Sequence, residues 1–163
     1  MILGIDPGTA QSAYVLYEIA IPKLEIPKIV YMGILPNDIF FDKMKELCKY
    51  NGDNPVYKII KTACIEDVNC YGMPVGREVF ETVRFSGRLQ QLFIDSKIPC
   101  RFIHRREIKL FFCNSMKAKD ANIRQALIDK FGSPGTKKNP GFLYGVKKDI
   151  WSALAIAVYG SKH

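Results

Sequence analysis

The chain has 163 residues, with 48% hydrophobic and 25% charged residues and a formal net charge of +8. That length suits one domain with a single substantial core, here taken as residues 1–163, and the composition excludes a disordered or fibrous protein. No apolar run approaches the roughly 18 residues a membrane span needs, and Met1 leads into a strand-like run without a basic leader, so a cytoplasmic protein with no membrane partner is expected.

In chain order, Met1 to Ile5 reads as a buried strand that ends on Asp6, followed at once by Pro7, Gly8 and Thr9. Ser12 to Ile21 and Lys28 to Ile34 have strand composition and suggest an antiparallel meander. Asp38 to Tyr50 places Phe41, Met44, Leu47 and Cys48 at helical spacing, and NGDNP at residues 51–55 ends that helix. Val56 to Glu66 reads as a second buried strand finishing on an acid. A long helix is expected from Arg77 to Ser96, its apolar stripe made of Val79, Phe80, Val83, Leu89, Leu92 and Phe93. CRFIH after Pro99 is a strand and RREIKLFFC a helix. DANIRQALIDKFG is a helix with Asp120 as an N-cap-like residue and Gly132 as its stop. SPGTKKNPG, residues 133–141, is a loop, and Lys147 to Gly160 is a final helix with Asp149 in its first turn. This order predicts an α/β fold with a mixed central sheet flanked by helices.

The five cysteines, Cys48, Cys64, Cys70, Cys100 and Cys113, contain no CxxC pair, and the histidines are His104 and His163. A zinc site or disulfide framework is not expected, and the cysteines read as reduced core residues. The charge is unevenly spread. Residues 1–100 carry 11 Lys and Arg against 12 Asp and Glu, whereas residues 101–163 carry 13 against 4. A basic last third of this size is the footprint expected for a polyanionic partner, although a merely soluble basic surface has the same composition.

Asp6 and Glu66 each stand where an apolar strand ends, the place where such sheets present side chains to a cleft. If the last helix lies beside them, Asp149 makes a third carboxylate, and hard oxygen donors of this kind suit Mg²⁺ or Mn²⁺. Each acid also has an ordinary reading: Asp6 as a turn former before Pro-Gly, Glu66 and Asp67 as solvated loop acids, Asp149 as an acid favoured at a helix start.

Together, ILGIDPGT, CIEDV and KKDIWSALAIAV resemble the RuvC family of Holliday junction resolvases within the RNase H-like superfamily, and more particularly its phage and prophage branch. KAKDANIRQALIDKFG and the following KKNPGFLYGV resemble the same branch. The resemblance implies an RNase H-like (RuvC-type) fold and a Mg²⁺-dependent endonuclease, with Mn²⁺ as substitute, that nicks branched DNA such as four-way junctions. It also implies a homodimer, and a metal-binding and catalytic set of Asp6, Glu66 and Asp149. Many members carry a second acid three residues further along the last helix; here that position is Ser152, with Asp67 and Asp120 as possible substitutes.

For phosphate contacts, Lys117, Lys119 and Lys148 rank ahead of Lys137, Lys138 and Lys147, while Arg101, Arg105 and Arg106 read equally well as a solvated face. Tyr71 is a candidate for stacking on an unpaired base, although the family's junction-wedging aromatic lies where this chain has Asn69. Three other readings compete: an RNase H-like nuclease on RNA or hybrids, a catalytically silent DNA-binding module, and an actin-like phosphotransferase. The last needs a second such domain, which the chain is too short to supply.

Overall fold

The computed structural model describes residues 1–19, 27–53, 60–70, 72 and 74–163. Five strands form one sheet: β1 (Ile2–Asp6), β2 (Gln11–Glu18), β3 (Lys28–Pro36), β4 (Thr62–Asp67) and β5 (Cys100–His104). Five helices accompany them: α1 (Asn37–Asp53), α2 (Arg77–Asp95), α3 (Arg105–Cys113), α4 (Asp120–Phe131) and α5 (Ile150–Gly160). The strand order is β3-β2-β1-β4-β5. β1 pairs antiparallel with β2 and parallel with β4, and β4 pairs parallel with β5. The expected mixed sheet is therefore present.

β1 lies at the centre because Ile2, Leu3, Gly4 and Ile5 are buried on both faces. Leu3 and Ile5 join a core with Phe40 and Met44 of α1 and Phe85, Leu89 and Phe93 of α2. Tyr14 and Phe85 both meet the Phe40 ring edge-on, with centroids 5.7 and 5.9 Å away. Ile2 faces the opposite core, which contains Ile108 of α3, Ile123 and Leu127 of α4, and most of α5. The α5 sequence IWSALAIAVYG is apolar on nearly every side, which suits a helix enclosed by other elements. Its approach to the sheet is close: a Cβ on Gly4 would stand 2.2 Å from the Ala153 carbonyl oxygen, and one on Gly160 would stand 2.4 Å from Cys64 Sγ. Only glycine at those two positions lets α5 lie directly across β1 and β4.

Several boundaries differ from expectation. The last helix begins at Ile150, not Lys147, and Asp149 is its N-cap. Lys119 is the N-cap of α4, and Asp120 is the first helical residue. The second acid-terminated strand begins at Thr62, residues 56–59 of its expected span lie outside the described residues, and α1 runs on through Asn51 to Asp53, where the turn was expected. The α2 stripe splits in two. Thr82, Phe85, Ser86, Leu89 and Phe93 face the sheet, while Phe80, Val83 and Ile94 are 53%, 47% and 55% exposed. Thr82 and Ser86 can serve the inward face because their hydroxyls donate back to the Glu78 and Thr82 carbonyls of their own helix at 3.0 and 2.9 Å, so hydrophobicity alone mislocates it. All five cysteines are free, but only Cys64 is fully buried and Cys70 is exposed. Burial raises the Cys64 thiol to about 11, so it stays protonated.

Candidate active site

The parallel register pairs Ile5 with Ile65. Side chains alternate along a strand, so Asp6 and Glu66, one residue further on, emerge side by side on the α5 face of the sheet. The chain leaves Asp6 through a tightly fastened turn. Asn37 at the start of α1 donates from Nδ2 to the carbonyls of Gly8 and Thr9 at 2.9 and 3.0 Å, and accepts at Oδ1 from the Ser12 hydroxyl at 2.7 Å. The same hydroxyl accepts from the Gly8 N–H at 3.2 Å. A Cβ on Gly8 would meet the Gln11 carbonyl oxygen at 2.4 Å, so the turn requires glycine. These bonds fix the direction in which Asp6 points.

Asp6 is pushed up to about 7, first by burial and then by Glu66 and Asp149; Arg105 and a hydrogen bond from Ser152 act in the opposite sense. The three acids singled out in the sequence are thus electrostatic neighbours. Asp149 itself is exposed and makes no capping bond to its own helix. An open cleft of about 200 Å³ lies at this strand end, lined by Asp6, Pro7, Glu66, Asp67, Val68, Asn69 and Arg105.

Arg105 is the residue that sequence reasoning undervalued. It is the first residue of α3, and its Nη1 donates to Glu66 Oε1 at 2.6 Å while Nη2 pairs with Asp120 Oδ1. Burial opposes its charge, yet Glu66 and Asp120 outweigh that and raise the guanidinium above its ordinary value. It is half-buried, whereas Arg101 and Arg106 are exposed, so the three do not form one solvated face. Its place follows from the sheet: β5 runs parallel beside β4 with Ile103 opposite Glu66, so Arg105, two residues on and on the same face, comes out beside Glu66, a pairing that local sequence does not mark.

Of the two substitute acids, Asp120 reaches the site only through Arg105. Asp67 lies next to His104, whose Nδ1 is 2.9 Å from Asp67 Oδ2. Among the described residues no three Asp, Glu, His or Cys side chains are gathered closely enough to hold a metal ion as they stand. The donor set nevertheless fits a hard divalent cation. It consists of carboxylate oxygens, and the charge on Asp6 is opposed by its acidic neighbours, an opposition that a cation would relieve.

Lys117, Lys119, Lys147 and Lys148 are all exposed. Lys148, next to Asp149, has φ 47°, a left-handed conformation unusual for a side chain with a Cβ. With Lys147 it lines an open cleft of about 440 Å³ against Met32, Gly33 and Ile34 of β3. Lys119 directs its backbone N–H to Asn122 Oδ1 at 2.8 Å, which leaves its side chain in solvent beside the start of α4. Tyr71 lies outside the described residues.

Among the described residues no helix is long and apolar enough to cross a membrane. No protein-family model matches the chain, and no curated protein matches it either. Solved structures do. RuvC of T. thermophilus in complex with a Holliday junction substrate is similar with a TM-score of 0.72 at 10% identity, over 98% of this chain and 92% of that one. A second Thermus thermophilus RuvC structure gives 0.68 at 10% identity, again over 98% and 92%. The fowlpox virus resolvase in complex with Holliday junction DNA gives 0.49 at 11% identity over 99% of both chains. With its 3-2-1-4-5 mixed sheet flanked, among the described residues, by five helices, the chain has the RuvC-like RNase H fold.

Proposed function

We propose that the protein is a metal-dependent endonuclease that nicks branched DNA, four-way junctions in particular, in the manner of the phage and prophage RuvC-like enzymes its motifs resemble. One observation carries the reading: Asp6, Glu66 and Asp149, chosen from three distant motifs, become electrostatic neighbours at one end of a RuvC-like sheet. Asp6 and Glu66 would hold Mg²⁺ or Mn²⁺ from the strand ends, and Asp149 would hold it from the start of α5. A divalent ion bound there supplies Lewis-acid polarisation of a phosphate and a water of lowered pKa.

The chain's own residues do the rest. The turn at Pro7 and Gly8 carries the backbone away from Asp6 and leaves the cleft open for a phosphodiester. Lys148 next to Asp149, and Lys117 and Lys119 before α4, neutralise phosphates on either side of the scissile bond. Tyr71, in the segment after Glu66, is proposed to stack on a base exposed at the junction.

Two symmetrical nicks require two sites, and a two-fold dimer supplies them. The exposed seam of Phe80, Val83 and Ile94 along α2, with the open position of Gly87 between them, supports a homodimer through that helix.

The test is a labelled synthetic four-way junction and a matched linear duplex, incubated with the protein in Mg²⁺, Mn²⁺ or EDTA, alongside Glu66→Gln. Paired nicks on the junction, absent in EDTA and in the variant, are the expected result. A hybrid or RNA cut in preference would favour the RNase H-type reading. Tight junction binding with no cutting in either metal would sink the nuclease and leave a DNA-binding module.

A further inference from the structure

Ser152 lies three residues beyond Asp149, one helical turn on and on the same side of α5, a position from which an acid would add a further oxygen ligand beside Asp149. The space beside it is small. A cavity of about 30 Å³ is lined by Glu66, Arg105, Asp120, Arg124, Trp151 and Ser152, among others. That is room for about one water. Arg124 there lies over the Trp151 ring at 4.9 Å, and the positive charge that meets Glu66 is the Arg105 guanidinium, which joins Glu66 Oε1 at 2.6 Å to Asp120.

The backbone that carries Arg105 is anchored as well. The backbone N–H of His104 donates to Glu107 Oε2 at 2.8 Å, and Glu107 Oε1 accepts from the Tyr159 hydroxyl at 3.1 Å. The start of α3, and with it Arg105, is therefore tied to α5. Arginine keeps its charge at any accessible pH, and its planar fork matches carboxylate and phosphate oxygens alike. A divalent ion on the same Glu66 oxygen would face a positive charge within contact distance.

We infer that Arg105 takes the place of one cation of a two-ion centre: a single divalent ion binds, on the Asp6 and Asp149 side of Glu66, and the guanidinium is the fixed second positive charge. A serine suffices at position 152, because Glu66 and Asp120 already neutralise that charge. The inference rests on the nuclease reading for its purpose, but the number of ions can be counted without any cleavage.

The experiment is calorimetric titration of Mn²⁺ into metal-stripped protein, with Mn²⁺ electron paramagnetic resonance as the second count. The wild type is expected to take up one ion, Ser152→Asp still one, and Arg105→Leu combined with Ser152→Asp two. Arg105→Leu alone is expected to bind its ion more tightly, on the order of tenfold, because Glu66 loses a competitor and the ion loses a repelling neighbour. Circular dichroism melts of each variant establish that it is folded. Two ions in the wild type or in Ser152→Asp, no ion in the wild type, or unchanged or weaker Mn²⁺ binding in Arg105→Leu would overturn the inference. Junction cleavage followed in parallel separates the two ideas. One bound ion with no cutting sinks the nuclease and leaves the ion count standing, whereas two bound ions with cutting do the reverse.

Discussion

Arg105 Nη1 lies 2.6 Å from Glu66 Oε1, and this ion pair joins the end of β4 to the start of α3 at the rim of the carboxylate cleft. The Glu66 side chain is only 13% exposed, so its charge would be costly there without a partner. Arg105 also favours the charged form of Asp6, opposing the burial and the repulsion from Glu66 and Asp149 that raise it. One guanidinium therefore affects both strand-end acids.

Asp6 should make metal-free stability fall as pH rises. Its folded-state pKa of about 7 lies above the ordinary value of 3.8. The native state therefore holds the proton more tightly than the unfolded chain does. The stabilisation is complete below about pH 4 and is lost as pH climbs through about 7. The full difference amounts to up to about 4 kcal/mol. In EDTA, Asp6→Asn should flatten this part of the profile and be the more stable protein at pH 8. Urea denaturation between pH 4 and 8 measures it, and a wild type whose stability is level across that window would contradict the assignment.

Removing the Asn37 side chain should unfasten the turn behind Asp6. Asn37→Ala deletes two donated bonds and leaves the Gly8 and Thr9 carbonyls and the Ser12 hydroxyl short of partners, at a cost of about 1–3 kcal/mol. If the nuclease reading holds, junction cleavage should drop by more than the loss of folded protein accounts for, because Asp6 loses its orientation. Thermal melts paired with single-turnover cleavage separate the two effects.

Lys148→Gly should change stability and DNA binding in opposite directions. Its φ of 47° strains any residue with a Cβ by about 1 kcal/mol, and glycine removes that strain while giving back part of it as unfolded-state entropy. A net gain of about 0.5 kcal/mol is expected. Junction affinity should fall, and the slope of log affinity against log salt should become shallower by about 1 as one phosphate contact is lost. An unchanged salt slope would remove Lys148 from the interface.

Gly4→Ala should be severely destabilising although it adds one methyl group. That carbon would collide with the backbone of α5 at Ala153 and Ala157, which cannot swing aside as a flexible side chain could. A loss of about 3 kcal/mol is expected in a chemical melt. Tolerance of alanine would mean that the helix stands further from the sheet.

Strand ends are written plainly in this sequence, since an apolar run stopping on an acid twice over announces Asp6 and Glu66, and the small-residue helix after Asp149 announces a buried partner for the sheet. What could not be read was how side chains pair across elements. Arg105 follows a strand and opens a helix, a position that local sequence treats as solvent-facing. Only the β4 to β5 register, a contact between segments far apart in the chain, turns it towards Glu66. The partner of Asp120 is hidden for the same reason: next to ANIRQAL it resembles a cap or a spare acid, yet Lys119 is the N-cap of α4 and Asp120 meets a guanidinium from another helix. The division of α2 into a sheet-facing side with Thr82 and Ser86 and an outer side with Phe80 and Val83 is likewise hidden, because hydroxyls satisfied within their own helix can be buried and hydropathy does not encode that.

The contact between Gly4 and Ala153 also bears on when the site comes into being. β1 is synthesised early, but the face carrying Gly4 and Asp6 stays open to water until α5 is made and settles across it. Contacts of such long sequence separation form late and slowly, since the chain must close a large loop before they repay the cost. A nascent chain can therefore pair β1 with β2 while its carboxylates are still scattered. Appearance of the raised Asp6 pKa would then time the last docking step of folding from within the site itself.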